Sequence, residues 1–255
     1  MKVALAFFGI TRSLKYTIDS IHKSFFDVFK RKNIEYDIFL HTYNITNYCN
    51  VRTGEKVDDK DINNDEYKLL NANYVETDDQ ETIKKKLNLK SYRTHKDPWK
   101  TDYNSVDNFI LGSYSKFQVT NMIEKTGNNY DFIIFIRPDC FYFQDFNKHF
   151  FQYIRENCIV MPNFHLYGKH KVNDRFAITN MNTYKIYGKI FTELLEKSKK
   201  QPLHSESILG QHLHNNKIQN IKIKFKFARV RFNGLVEKDF QAKLGKRLTV
   251  KDEIS

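Results

Sequence analysis

Four consecutive residues, Ile136-Arg137-Pro138-Asp139, hold the densest chemistry in this 255-residue chain. They close the clearest strand pattern in the sequence, Tyr130-Asp131-Phe132-Ile133-Ile134-Phe135-Ile136. Pro138 fixes its own φ and pushes Arg137 into an extended conformation, so the strand stops sharply and Asp139 is presented. A carboxylate at the carboxyl end of a buried strand in an open α/β sheet lies where ligands bind. Hard divalent cations take such oxygens and bridge phosphates. An Asp at this place serves equally as a cap for the turn that follows.

Other residues with chemical reach are scattered. Arg229 and Arg231 end an alternating stretch in which Ile221, Ile223, Phe225 and Phe227 interleave with Lys222, Lys224 and Lys226. The apolar phase then slips to Ala228, Val230 and Phe232: either a β-bulge lies near Ala228 and re-aims the two arginines, or Arg229 and Arg231 turn to the face that held Phe227. Their plainer use is to coat an edge strand. His204 and His212 are of the right type for metal or phosphate contact, although a lone His more often packs or faces solvent. Trp99, within His95-Lys96-Asp97-Pro98-Trp99, either stacks on a sugar or anchors its loop to the core.

The elements that must hold these residues read as an α/β domain. Residues 3–8 are a short apolar run ended by Gly9, as expected of a buried parallel strand. Ser13 is placed to cap a helix whose apolar positions are Leu14, Ile18, Ile21, Phe25, Phe26 and Phe29. Residues 36–43 form a second strand, so the chain opens strand, helix, strand, the start of a wound sheet. Residues 44–107 are polar and predict long surface loops, with one strand-like piece at 72–76 and a helix near 79–87. Residues 113–125 predict a helix stopped by Gly127-Asn128-Asn129. A further strand is expected at 158–162, after a helical stretch with Phe150, Phe151 and Ile154, and helices at 183–195 and 206–213.

Composition bounds the class. With 40% hydrophobic and 28% charged residues over 255 positions, the chain reads as an ordinary soluble globular protein of one sizeable domain or at most two small ones. The net charge of +12 implies an anionic partner or a solvated, lysine-rich surface. Cys49, Cys140 and Cys158 form no C-x-x-C pair, and an odd count suggests a reducing compartment. The first apolar run is too short for a signal segment, and no segment approaches the roughly 20 apolar residues of a membrane span. A cytoplasmic protein is expected, in a host's cytoplasm if the chain is viral.

Six segments in consistent order resemble GT-A-type glycosyltransferases of large DNA viruses and of bacterial surface-polysaccharide loci. They are Gly9-Ile10-Thr11-Arg12, Asp37-Ile38-Phe39-Leu40-His41-Thr42, residues 115–123, residues 130–139, Asn173-Asp174-Arg175-Phe176-Ala177-Ile178, and His204-Ser205-Glu206-Ser207-Ile208-Leu209. The resemblance implies one GT-A-like, Rossmann-like domain over 1–255, with a mostly parallel central sheet flanked by helices. Residues 1–140 would bind the nucleotide-sugar, and residues 141–255 would carry the acceptor side and the basic C-terminal strand. The implied activity is transfer of a hexosyl or pentosyl group from a nucleotide-sugar donor to a glycan or other hydroxyl acceptor.

By position, the resemblance assigns Gly9 and Arg12 to the nucleotide-binding turn. Asp139 stands in the second carboxylate place of a DxD-like motif, so it is the metal candidate for manganese or magnesium. Arg137 occupies the first place, where the motif has Asp. Asp174 is the candidate acceptor-side base, and Glu206 is its rival at a helix start, where a Glu also simply complements the helix dipole. Arg137, Arg229 and Arg231, with Arg12, are candidates for holding the diphosphate as its charge grows.

Two other readings compete. A non-catalytic nucleotide-sugar-binding relative would keep the fold without the chemistry. A basic nucleic-acid-binding module would use the strand at 222–231 as a stacking platform. Phe225 and Phe227 fall on the face away from the lysines, which argues for burial over base stacking, so no nucleic-acid partner is expected.

Overall fold

A computed structural model describes residues 1–250 of the chain. Its centre is a seven-stranded sheet. The first strand, β1 (Lys2–Phe8), runs parallel to β2 (Glu35–Asn44) on one side and to β6 (Phe132–Ile136) on the other. Beyond β2 lies the parallel edge strand β5 (Tyr74–Asp79). Beyond β6 lies β9 (Phe176–Thr179), antiparallel to β6 and to β8 (Cys158–Pro162), and β10 (Gln219–Ile223) pairs parallel with β8 at the far edge. The order is β10-β8-β9-β6-β1-β2-β5, with β9 alone reversed. The expected mostly parallel α/β sheet is therefore what forms, and it draws strands from both halves of the chain.

The continuous apolar runs follow from burial on both faces. Ala4, Ala6 and Phe8 of β1 join Ile133 and Phe135 of β6 in one core, while Val3, Leu5 and Phe7 join Ile134 and Ile136 in the other. All but Phe8 are fully buried, and each large side chain contributes about 1.5–3 kcal/mol of transfer free energy. The first core is covered by the 23-residue helix α4 (Asn104–Thr126) together with α5 (Tyr184–Gly188), α6 (Leu194–Ser198) and α7 (Ser205–Asn215). The second is covered by α1 (Leu14–Ile21), which continues through a π turn, His22–Phe26, into α2 (Asp27–Arg31). The predicted helical apolar positions from Leu14 to Phe29 thus hold, with one inserted residue in the winding. Gly127, at φ 65°, ends α4 as its sequence predicts.

Four expectations are revised. Ser13 makes no capping bond; its hydroxyl donates to the Val230 carbonyl at 3.0 Å and so ties the first helix to the C-terminal segment. The helix expected over 113–125 starts nine residues earlier; polar Asn104, Asp107 and Asn108 in its first turns hide that start from the apolar pattern, and Asn108 lines the cleft. The polar stretch 44–107 contains, besides α3 (Gln80–Leu87), an antiparallel hairpin of β3 (Tyr48–Asn50) and β4 (Glu55–Val57). The phase slip at Ala228 is no bulge. After β10 the chain leaves the main sheet, and β11 (Phe227–Arg229) pairs antiparallel with β7 (Cys140–Tyr142) in a separate ribbon.

The last segment, including the short α8 (Gln241–Leu244), folds back on that ribbon through bridges Val230–Val236 and Leu235–Arg247. Among the described residues no helix is long and apolar enough to cross a membrane.

Candidate active site

The topology gathers the predicted residues at one end of the sheet. Strands β1, β2, β5 and β6 are parallel, so Gly9 and Arg12, Tyr43, Gln80, and Arg137 with Asp139 all emerge at their carboxyl ends. Because β9 is reversed, it is its amino end that arrives there: Ile136 pairs with Phe176, which brings Asp174 and Arg175 beside Arg137. The start of α7 adds Ser205 and Glu206, and the β11–β7 ribbon adds Arg229 and Arg231. These side chains line one cleft of about 1030 Å³, counted out to solvent. All eight sequence-predicted site residues line it. A cleft outside the carboxyl ends of parallel strands is the usual ligand position in open α/β sheets.

One wall is cationic. Arg12 is 7% exposed, lies with its guanidinium 4.0 Å from the centre of the Tyr48 ring, and has no ion pair among the described residues; its Nε has no hydrogen-bond partner. Arg137 forks onto Asp139 with bonds of 2.8 and 2.6 Å. Burial alone would raise the Asp139 pKa, but Arg137, backed by Arg12 and Arg229, holds it well below the usual carboxylate range. Arg229 donates to Glu237 at 3.2 Å, and Arg231 lies 3.8 Å from Glu55. Burial and then the neighbouring Arg229 bring Arg231 down to about 10, so it stays charged at neutral pH while its environment disfavours that charge.

Backbone geometry fixes this wall. The Val230 amide donates to the Asp139 carbonyl at 2.8 Å, locking the ribbon to the turn after β6. Glu55 accepts from the Phe232 amide at 3.0 Å and from Thr53 at 2.7 Å, so the β3–β4 hairpin is pinned over the cleft. Gly9, at φ 99°, makes a turn that suits glycine. Its N–H goes to the Ser115 hydroxyl at 2.8 Å, so Gly9 shapes the cleft without offering an amide to a ligand.

A second group of side chains is acidic and aromatic. Asp174 is half-buried and Glu206 is buried. Burial, then the charge of Asp174, raises the Glu206 pKa above its ordinary value of 4.5, while a 2.5 Å bond from Ser205 opposes the rise. Trp99 stacks on His204 with ring centres 5.0 Å apart, and His204 lies 3.5 Å from Glu206. Asp97 positions Trp99 by accepting from the backbone N–H groups of Trp99, Thr101 and Tyr103. That turn holds Lys100, Asp102 and Tyr103 at positive φ, a cost borne by non-glycine residues chiefly near functional sites. Trp99 packs against the core, as an anchor of its loop does, and also lines the cleft.

The expected metal does not fit these residues. Asp139 would be its ligand, yet both its oxygens are taken by Arg137. Among the described residues no group of three His, Cys, Asp or Glu side chains converges as a cation site. A hard divalent ion beside a diphosphate needs at least one free carboxylate, with water and phosphate oxygens for the rest of its shell, and the groups around Asp139 are guanidinium groups that take its oxygens instead. Asp139 is therefore corrected from metal ligand to the counter-ion of Arg137. His212 is also withdrawn: it is buried and held by Glu193 at 3.1 Å and the Ile186 carbonyl at 2.8 Å. Phe225 and Phe227 are 0% and 1% exposed, which leaves that strand no aromatic face for bases.

Several cleft residues escaped the sequence reading. Arg175 stands beside Asp174, donates to His165 Nδ1 at 2.6 Å, and lies 3.8 Å from Glu237. Its signal was present, as the next residue of a segment already singled out. Lys116 is buried behind Asp174, with its ammonium 4.0 Å from the centre of the Tyr187 ring; burial, partly offset by the attraction of Asp174, lowers it to about 8. Tyr48 and Arg52, and Glu55 behind Arg231, could not be found, because the hairpin that carries them has no alternating apolar pattern.

No protein-family model matches the chain, and no curated protein sequence does. In shape it is similar to a galactosyltransferase, LgtC, solved in complex with donor and acceptor sugar analogs, with TM-score 0.48, 8% identity, and coverage of 86% of this chain and 73% of that one. It is also similar to mouse xyloside xylosyltransferase 1, with TM-score 0.44, 10% identity, and coverage of 88% and 85%. A third similar structure is the glycosyltransferase GlyE of Streptococcus pneumoniae TIGR4, with TM-score 0.45 and 10% identity, of which this chain spans 45%.

Proposed function

We propose that the chain is a glycosyltransferase that moves a sugar from a nucleotide-sugar donor to a hydroxyl of a glycan or similar acceptor. The observation that carries this reading is the composition of one cleft: a buried guanidinium, Arg12, that has no ion pair among the described residues shares it with the carboxylates Asp174 and Glu206, the charge of the first raising the pKa of the second. An anionic leaving group and an acid–base pair are what transfer from a sugar diphosphate requires.

In the proposed reaction the donor diphosphate lies against Arg12, Arg229 and Arg231. The acceptor oxygen forms a bond to the anomeric carbon, and the carbon–oxygen bond to the diphosphate breaks with its electron pair on the phosphate oxygen. Guanidinium groups already fixed by the fold meet that charge without reorganising. Glu206 takes the acceptor hydroxyl proton: burial and the charge of Asp174 raise its pKa above the ordinary value and so make it a better proton acceptor than a solvated carboxylate. Asp174, nearer solvent, orients the acceptor and keeps Glu206 basic. Trp99 offers its ring to the acceptor sugar.

The test is nucleotide release from a panel of sugar nucleotides, with and without glycan acceptors, for the wild type and Glu206→Gln. Turnover with one donor class is expected, lowered about 10²- to 10⁴-fold in the variant. Turnover unchanged in the variant removes Glu206 from the chemistry, and no turnover with any donor removes the transferase reading.

A further inference from the structure

We propose that this cleft binds and discharges a nucleoside diphosphate without a divalent cation, its arginines taking the place of the ion. The inference rests on the transferase reading above and adds the means by which the leaving group is neutralised.

Three observations support it. First, Arg12 is more than nine-tenths buried, lines the cleft and has no ion pair among the described residues: it meets only the face of Tyr48 and, at longer range, the charge of Asp139, which Arg137 already holds. A buried cation of this kind is stable only with an anion beside it. Secondly, six guanidinium groups line the cleft, from Arg12, Arg52, Arg137, Arg175, Arg229 and Arg231. Asp139 is committed to Arg137, while Glu237 is divided between Arg229 and Arg175. Arg231 has only Glu55, at 3.8 Å, and that carboxylate also receives the Phe232 amide and Thr53. Protein carboxylates thus leave Arg12 and Arg231 under-compensated. Thirdly, the carboxylate whose position would suit a metal is closed by a two-point fork, which a planar guanidinium holds better than a point charge does.

Chemically the substitution is complete. As the bond to the anomeric carbon breaks, the terminal phosphate gains the electron pair and one unit of negative charge. A dication would neutralise that oxygen by coordination; Arg12 and Arg231 neutralise it by donated N–H bonds from fixed positions. Arg137 remains as a reserve cation, tied to Asp139 when the cleft is empty.

Titration calorimetry on the full chain, with a panel of nucleoside diphosphates, reads this directly. In chelator and in excess manganese one diphosphate is expected to bind with dissociation constants equal within about twofold, and its monophosphate about tenfold or more weakly. Asp139→Asn is expected to retain or tighten binding, since it frees Arg137; a metal ligand lost there would abolish it. That variant loses the buried partner of Arg137, so the chelator comparison on wild type stands by itself. Binding that appears only with manganese overturns the proposal while leaving the transferase reading intact. Absence of nucleotide binding in both buffers overturns both.

Discussion

Replacing Arg12 by Met keeps most of the side-chain volume and removes the charge, so its effect on stability and on ligand binding should separate. Arg12 makes no ion pair among the described residues and lies 4.0 Å from the centre of the Tyr48 ring. That contact is worth about 0.5–2 kcal/mol. Its loss is offset by the relief of Arg231, whose charge Arg12 disfavours. The net change in folding free energy should therefore stay within about 1 kcal/mol, or about 2–4 °C in Tm for a domain of this size. Binding loses a charge-assisted hydrogen bond of about 1.5–3 kcal/mol, which corresponds to a rise in Kd of about tenfold to a hundredfold. Thermal melts of the ligand-free protein and calorimetry with the preferred nucleoside diphosphate measure the two quantities. A variant that melts about 10 °C lower yet binds with an unchanged Kd refutes the reasoning, since Arg12 would then be a structural cation.

Glu206→Gln should lower kcat and raise the melting temperature at neutral pH. The folded-state pKa of Glu206 is raised, so the folded protein holds this proton more tightly than the unfolded chain. The stability it contributes is full below the ordinary value of 4.5 and is lost as pH rises through the raised value. The variant should show no such decline, and the wild-type rate should rise with pH over the same window as the base ionises; a melting temperature that falls on substitution contradicts the assignment. Trp99→Ala should raise KM for the acceptor about fivefold or more with little change in donor affinity, as expected for loss of a stacking face worth about 1 kcal/mol; equal effects on both substrates speak for general loosening of the 97–103 turn. Glu55→Ala strands the Phe232 amide and Arg231, at a cost of about 1–3 kcal/mol. Limited proteolysis should then cut within residues 48–57 faster than in wild type, and an unchanged cleavage rate means that Glu55 does not pin the hairpin.

The sheet was readable because its strands are buried on both faces and so appear as unbroken apolar runs: residues 3–8 and 130–136 need no partner to be recognised. The turn after Ile136 was readable because Pro138 acts locally. What escaped depends on strand pairing or on side-chain choices that spacing leaves open. The reversal of β9, which brings Asp174 and Arg175 beside Arg137, leaves no mark in the order of residues. The Arg137–Asp139 fork is a side-chain choice that the spacing allows but does not dictate, so a carboxylate at the right place in the sheet read as a metal ligand. The slip at Ala228 was real, but a change of sheet produces the same alternation as a bulge. The hairpin of 48–57 is held by Arg12, Glu55 and the C-terminal segment rather than by its own apolar pattern, and no local signal announces it.

The most direct measurement is a crystal structure of the chain grown with its preferred nucleoside diphosphate in the presence of chelator. Phosphate oxygens within hydrogen-bond reach of Arg12 and Arg231, at the carboxyl ends of β1 and β6, are the predicted result. A nucleotide seated elsewhere, or one in this cleft whose phosphates leave Arg12 untouched, contradicts it.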